Sequence, residues 1–249
     1  MRNKTISVSK IRIHPITDFL WLIIDKRVFI MAKKIAVCLA GCGVKDGSEI
    51  HEAVTLLLAL DKLGAEIYCF APEDQQHYVI NHCNGSQLRE SRNILIESAR
   101  IARGKIQRIE EADVNKLDGL IFPGGLGAAL NLCNFGLQGS KCTVREDVKK
   151  LIEDMFHAHK PIGAICIAPT LIARVLGKEH HIKVTIGTDK GTAKQIEDMG
   201  AIHVNCAVDD IVVDEANKIV TTPAYMLATR ISEVATGVEK LAKKVLELA

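Results

Sequence analysis

Aromatic side chains make up only 4% of this 249-residue chain, and its charges nearly cancel, with 32 Lys and Arg against 30 Asp and Glu for a net charge of +2. The first shortage removes the stacking platforms that nucleic acids use, and the second removes the basic field that attracts a phosphate backbone. Neither DNA nor RNA is therefore an expected partner. No Cys-x-x-Cys stands among the eight cysteines. Cys38 and Cys42 lie four apart, but one falls inside a strand and no histidine cluster completes a zinc site, so no metal is expected. Neither a Gly-x-Gly-x-x-Gly nor a glycine loop followed by Lys-Ser or Lys-Thr occurs, which removes the nucleotide-binding signatures. The chain is 48% hydrophobic, and at this length it can bury a core without disulfide staples. Its scattered cysteines, Cys69, Cys83, Cys133, Cys142, Cys166 and Cys206 besides the first two, therefore read as reduced thiols of a cytoplasmic protein.

Residues 1–30 differ from the rest. They are basic at Arg2, Lys4, Lys10 and Arg12, poor in acids, and carry the apolar run Phe19–Ile24. That run is too short to cross a bilayer, so no membrane partner is expected. A secretory signal is disfavoured because Asp25-Lys26-Arg27 follows the run where a small-residue cleavage site belongs. The segment is expected to be a disordered extension or a misassigned start upstream of Met31, ahead of an organelle presequence. Residues 31–249 are expected to form one domain.

What the chain does contain is an apolar strand that runs straight into a cysteine, Lys160-Pro161-Ile162-Gly163-Ala164-Ile165-Cys166, and then into helix formers from Ile167-Ala168-Pro169-Thr170. A side chain on a sharp strand-to-helix turn projects from the sheet edge, and the amides that follow can stabilise a thiolate or an oxyanion. A buried cysteine acting as a small hydrophobe is the alternative. A second apolar strand, Leu117–Phe122, ends in Pro123-Gly124-Gly125-Leu126-Gly127, where glycine permits backbone to approach closely and to aim an N–H at a reacting oxygen.

These two motifs resemble the PfpI superfamily, whose fold is related to class I glutamine amidotransferases. Within it, the stretches Leu39–Glu52, Ser91-Arg92-Asn93, Ala99–Gly104 and Val220–Met226 are similar to the ElbB family of isoprenoid-biosynthesis-associated, glyoxalase-like proteins. The resemblance runs from about Met31 to the C-terminus. It implies a homodimer, an activity on glyoxal or methylglyoxal without a cofactor, and a link to isoprenoid biosynthesis that no residue explains chemically.

From Met31 onward strand and helix patterns alternate, as a doubly wound, flavodoxin-like α/β sheet with helices on both faces requires. Strands are expected at Ile35–Leu39, Glu66–Ala71, Leu117–Phe122, Ile162–Ile165, Ile182–Ile186, Asp210–Val213 and Lys218–Thr221. Helices are expected at about Glu49–Leu63, Arg92–Arg103 and Val144–His159, from Cys166 to near Gly177, and from Met226 to Leu248. Ligands of such folds sit beyond the carboxyl ends of the strands. There Cys166, the Gly124-Gly125 turn and the loop Gly41–Glu52 converge.

In the PfpI superfamily a glutamate at the start of the first helix faces the cysteine. Counting back from Gly64 selects Glu52, whereas the loop-to-helix context Gly47-Ser48-Glu49-Ile50 selects Glu49, and both remain candidates. Glu49 can instead be a capping-box acid with Asp46 as N-cap, and Glu52 a solvated first-turn acid. Asp46 and His51 are supporting candidates. Histidines after Cys166 stand only at His180, His181 and His203, none followed two residues later by an acid, and Ile167 occupies the place where peptidase-like members carry histidine. Ammonia release and proteolysis are thereby disfavoured. A Cys-Glu pair suffices for a small reactive aldehyde: Cys166, with a thiol acidified by the helix terminus, adds to the carbonyl. Backbone amides near Gly124, Gly125 and Ile167 hold the oxyanion, and the glutamate shuttles the proton. Protein deglycation, or a non-enzymatic redox-sensing or stress-response binding role for the same cysteine, is the alternative.

Overall fold

Ile35 and Val37 alternate with Ala36 and Cys38, and all four are buried. A strand apolar on both faces belongs in the interior of a parallel sheet covered on each side by helices. The computed structural model describes residues 32–249; the expected N-terminal extension lies outside the described residues. In it, β1 (Lys34–Cys38) lies between β2 (Glu66–Ala71) and β4 (Gly119–Phe122), with β3 (Ile106–Arg108) outside β2. Beyond β4 come β5 (Ile162–Ile165), β9 (Ile219–Thr222) and β8 (Val212–Asp214), giving the order β3-β2-β1-β4-β5-β9-β8. Every pairing is parallel except β8 with β9, which is antiparallel. The expected doubly wound α/β class is the observed one.

The period-two alternation divides the core. Ile35, Val37, Ile121, Ile165 and Val220 pack against α1 (Ile50–Lys62) and α8 (Ile231–Leu248) through Leu56, Leu60, Val234, Val238 and Leu241. Ala36, Cys38, Leu120, Phe122 and Ile162 face α5 (Glu146–His157) and α6 (Pro169–His180) through Leu151, Ile152, Met155, Leu171 and Leu176. Among the described residues no helix is long and apolar enough to cross a membrane.

Several boundaries differ from expectation for identifiable reasons. α6 continues to His180, where His181 turns left-handed at φ 47°. Gly177, read as its stop, is instead a close-packing glycine whose missing Cβ leaves room for the Ala201 backbone nitrogen, 2.8 Å from where that atom would stand. The strand expected at Ile182–Ile186 shortens to β6 (Lys183–Val184) and pairs in a separate two-stranded sheet with β7 (Ile202–His203). α8 starts at Ile231 rather than Met226, because Ala224–Met226 forms a 3-10 turn. Five strands and α-helices were not anticipated: β3, β7, α3 (Leu126–Leu130), α4 (Phe135–Gln138) and α7 (Lys190–Asp198). α2 (Ile94–Ile101) lies inside its expected range and is capped by the Asn93 side chain, which accepts from the Ile96 N–H.

Candidate active site

Chain leaves β5 at Ile165 and turns at once through Cys166, whose φ of 62° lies in the left-handed region. A side chain held there costs about 1–3 kcal/mol and persists only where its surroundings determine it. Two features determine it here. The Cys166 N–H donates to the Thr222 carbonyl at the end of β9 (2.9 Å), and Pro169, with its fixed φ, opens α6 three residues later. The result is the expected elbow, with Cys166 at the carboxyl end of the sheet and 7% exposed.

Glu52 comes to this sulfur from the first turn of α1. Its side chain is fully buried, and its carboxyl lies beside the Cys166 side chain. Both carboxyl oxygens are also held by backbone: the Gly124 N–H donates to Oε2 (2.9 Å) and the Tyr225 N–H to Oε1 (3.3 Å). Three chain-distant turns thus fix one carboxyl group. Glycine at 124 is required by space, since a Cβ there would stand 2.5 Å from the Cys166 Cβ and 2.6 Å from Glu52 Oε2.

Glu49 does something else. It is the N-cap of α1, its carboxylate Oε2 accepting the Glu52 N–H (2.8 Å), so the capping-box reading with Asp46 as N-cap is corrected by three residues. Its own N–H donates to the Gly124 carbonyl (2.9 Å). The reading of Glu52 as a solvated acid is corrected as well, because it has no exposed surface. Asp46 faces away from the sulfur and accepts the Ile80 N–H (2.7 Å). His51 lies at the rim, its Nδ1 2.7 Å from the Tyr225 hydroxyl.

Of the three expected backbone donors, Gly125 and Ile167 present their N–H groups to the Cys166 sulfur. Gly124 does not, because its N–H is engaged by Glu52. Gly125 adopts φ 92°, and a Cβ there would meet the Glu49 nitrogen at 2.4 Å and the Gly47 oxygen at 2.5 Å. Glycine is therefore needed on both counts.

Electrostatics reverse one expectation. Burial, followed by the negative charge of Glu52 and the hydrogen bond to it, raises the Cys166 thiol well above its ordinary value, while the amides of Gly125 and Ile167 pull the other way. A helix terminus alone would acidify the thiol, but desolvation beside a carboxylate outweighs it. Burial and, second, the charge of Glu49 push Glu52 up to about 8, against the contacts with Cys166, Tyr225 and Gly124. Near neutral pH the pair therefore holds its protons. The first proton lost is that of Glu52, since the carboxyl lies near 8 and the thiol well above its ordinary value.

The segment Thr221–Tyr225, given from sequence only as part of the family resemblance, supplies a wall of the site through the Thr222 carbonyl and the Tyr225 N–H and hydroxyl. Main-chain contacts of this kind leave no residue-type signal. Asn131 is a buried brace that sequence did not reveal: its amide donates to the carbonyls of Ala40 (2.8 Å) and Asp46 (2.9 Å), and its oxygen accepts the His77 N–H (2.8 Å). Ser48 and Ser98 steady the same loop by accepting the N–H groups of Ala40 and Gly41, each at 2.8 Å.

No protein-family model matches the chain. It is 43% identical over 225 residues to the "ES1 protein homolog, mitochondrial" of Rattus norvegicus, covering 86% of this chain and 84% of that protein. It is 44% identical over 227 residues to the human "Glutamine amidotransferase-like class 1 domain-containing protein 3, mitochondrial", covering 87% and 84%. A crystal structure of an isoprenoid biosynthesis protein with an amidotransferase-like domain from Ehrlichia chaffeensis superposes with a TM-score of 0.81 at 38% identity, over 87% of this chain and all (100%) of that one. Drosophila melanogaster DJ-1beta shares the fold at 19% identity and a TM-score of 0.50, over 88% and 96% of the two chains. The expectation of a cytoplasmic protein, drawn from reduced cysteines, is overturned by the mitochondrial relatives, since thiols stay reduced in more than one compartment. With identity above 40% to two curated relatives across most of its length, the chain belongs to the ES1 family of glutamine amidotransferase-like proteins.

Proposed function

We propose that the chain is a cofactor-independent glyoxalase that converts glyoxal or methylglyoxal to glycolate or lactate through Cys166. The observation that carries this reading is a fully buried glutamate, its carboxyl held by the Gly124 and Tyr225 N–H groups beside an elbow cysteine. Members of the superfamily are often enzymes.

The Cys166 sulfur attacks the aldehyde carbon while Glu52, in its ionised form, takes the thiol proton and passes it to the oxygen that gains charge, which the N–H groups of Gly125 and Ile167 face. Glu52 then removes the C–H proton of the hemithioacetal and returns it at the neighbouring carbon by way of an enediol, leaving a thioester. Water cleaves the thioester, releasing the 2-hydroxy acid and the thiol. One carbon is oxidised and its neighbour reduced by the same two electrons, and the only addition is water. No external electron carrier enters the balance. A carboxyl pushed up to about 8 can both accept and return a proton near neutrality. Glu49 serves in this scheme as the cap and as the charge that raises Glu52.

A peroxide-sensing role needs a resident thiolate, which the burial of Cys166 opposes. The test is glycolate formation from glyoxal, without glutathione, by wild type and by Cys166→Ala. Product from wild type alone is expected, whereas none from either protein, or equal amounts from both, defeats the proposal. The mitochondrial relatives favour residues 1–30, basic and poor in acids, as an organelle-targeting segment; fractionation of cells expressing the tagged full chain tests it.

A further inference from the structure

Tyr225 touches the first turn of α1 twice. Its N–H donates to Glu52 Oε1 (3.3 Å), and its hydroxyl shares a hydrogen bond of 2.7 Å with Nδ1 of His51, the residue before Glu52. The two rings are tilted against each other with centroids 5.8 Å apart. Neighbouring residues of a helix project about 100° apart, so Glu52 enters the site while His51 stays at the rim, and Tyr225 spans both. The turn that presents Tyr225 is strained. Ala224 is left-handed at φ 43° and fully buried, a conformation that persists only where its surroundings determine it. The Ala224 carbonyl accepts the N–H groups of Leu227 (3.0 Å) and Ala228 (2.8 Å), and toward α1 the turn is fastened by Tyr225. An amide contact of 3.3 Å is at the long end of hydrogen bonding, so its hold on Glu52 depends on where the turn lies.

We propose that Tyr225 and His51 form a latch that positions the Glu52 carboxyl: their hydrogen bond fixes the Ala224–Met226 turn against α1 and so keeps the Tyr225 N–H on Glu52 Oε1.

The latch rests on the glyoxalase reading only for its effect on turnover. Glu52 is faced by Glu49 from the N-cap of its own helix, by Cys166 of the elbow, by the Gly124 N–H and by Tyr225. An N–H donated to a carboxylate favours the charged form. Releasing the latch therefore leaves burial and the charge of Glu49 less opposed, and Glu52 holds its proton to higher pH. Burial, then the charges of Glu49 and Glu52, raise the Tyr225 hydroxyl above its ordinary value, which keeps the latch protonated.

The full chain is labelled with carbon-13 at the glutamate carboxyls, the Glu52 resonance is identified by its loss in Glu52→Gln, and it is titrated from pH 5 to 10. The midpoint is expected to rise by roughly half a unit to one unit in Tyr225→Phe, which keeps the ring and the N–H, and equally in His51→Leu. His51→Asn, which places a hydrogen-bonding atom where Nδ1 stood, is expected to recover most of the shift. Tyr225→Phe combined with His51→Leu moves the midpoint no further than either alone. Midpoints unmoved in both single variants, or shifts that add in the double variant, overturn the latch. Glyoxal turnover of the single variants is expected to fall about three- to tenfold at pH 7 and to approach wild type at high pH; a loss equal at every pH overturns the latch as well. Shifted midpoints in a protein whose wild type turns over no glyoxal defeat the glyoxalase reading and leave the latch standing.

Discussion

Glu52 binds a proton in the folded chain over a pH range in which the unfolded chain has released it. Its folded value is raised from 4.5 to about 8, chiefly by desolvation. For a raised carboxyl the contribution to stability is fully present below the unfolded value of 4.5 and is lost as pH rises toward the folded value near 8. Melting temperature is therefore expected to fall across this window, and to fall less in Glu52→Gln, whose amide does not ionise. A parallel decline in both proteins, followed by calorimetry from pH 4.5 to 8.5, contradicts the burial of a titrating carboxyl. The same substitution removes the proton shuttle and one acceptor for the Gly124 or Tyr225 N–H, and is expected to lower glyoxal turnover by about 10²–10⁴-fold. Wild-type turnover is expected to rise with pH through about 8, as the pair loses its first proton. Cys166 poses a separate question of strain. At φ 62° a Cβ is costly and glycine is not, so Cys166→Gly is expected to be more stable than Cys166→Ala by about 1 kcal/mol in urea unfolding, both being inactive. Equal stability of the two places the strain elsewhere.

The first turn of α1 carries two acids with different duties, and a pair of substitutions separates them. Glu49→Ala removes the side-chain cap on the Glu52 N–H and is expected to cost about 1 kcal/mol. Glu49→Gln keeps an acceptor for that N–H and removes a charge that pushes Glu52 up. The pH profile of turnover is then expected to move toward lower pH with stability nearly unchanged; a profile that stays in place denies the charge any influence on the site. The sequence could not choose between the two acids. Glycine-rich loops such as Gly41–Gly47 have no periodicity to fix where the first helix begins, and one residue of register rotates a side chain by about 100° around a helix of 3.6 residues per turn. Fully buried strands such as Ile162–Ile165 and the elbow at Cys166 were readable because apolar continuity and an abrupt change of pattern are local signals. α3 was not, since Leu126-Gly127-Ala128-Ala129-Leu130 continues a turn without polar spacing, nor was the two-residue β7. The raised thiol also escaped, because the helix terminus is visible in sequence whereas desolvation depends on which chain-distant residues cover the sulfur.

Parallel strands bring the working groups together only when the whole sheet is assembled. Glu52 and the Tyr225 N–H that holds it are 173 residues apart, and Glu52 and the Gly124 N–H are 72 apart. Cys166 is tied to Thr222 across β5 and β9, while α1 packs against α8 on the face beneath them. No hairpin or single helix contains the site, so loosening any one of β1, β4, β5 or β9 dismantles it. The strand order was beyond reach from sequence for the same reason, since it resides in pairings such as β1 with β4 that leave no mark on neighbouring residues. This topology leads to a cooperative expectation. In a urea titration, rapid alkylation of Cys166 should appear at the midpoint of the loss of helical circular dichroism, as a two-state domain requires. Exposed Cys83 should label throughout and serve as the internal standard. Local opening of a lid would instead release Cys166 at urea concentrations where the sheet is intact, because only segments of low stability open separately from the global transition. Labelling of Cys166 well below the spectroscopic midpoint would show that the carboxyl, the amides and the sulfur are held by a loop that moves independently rather than by the sheet that carries them.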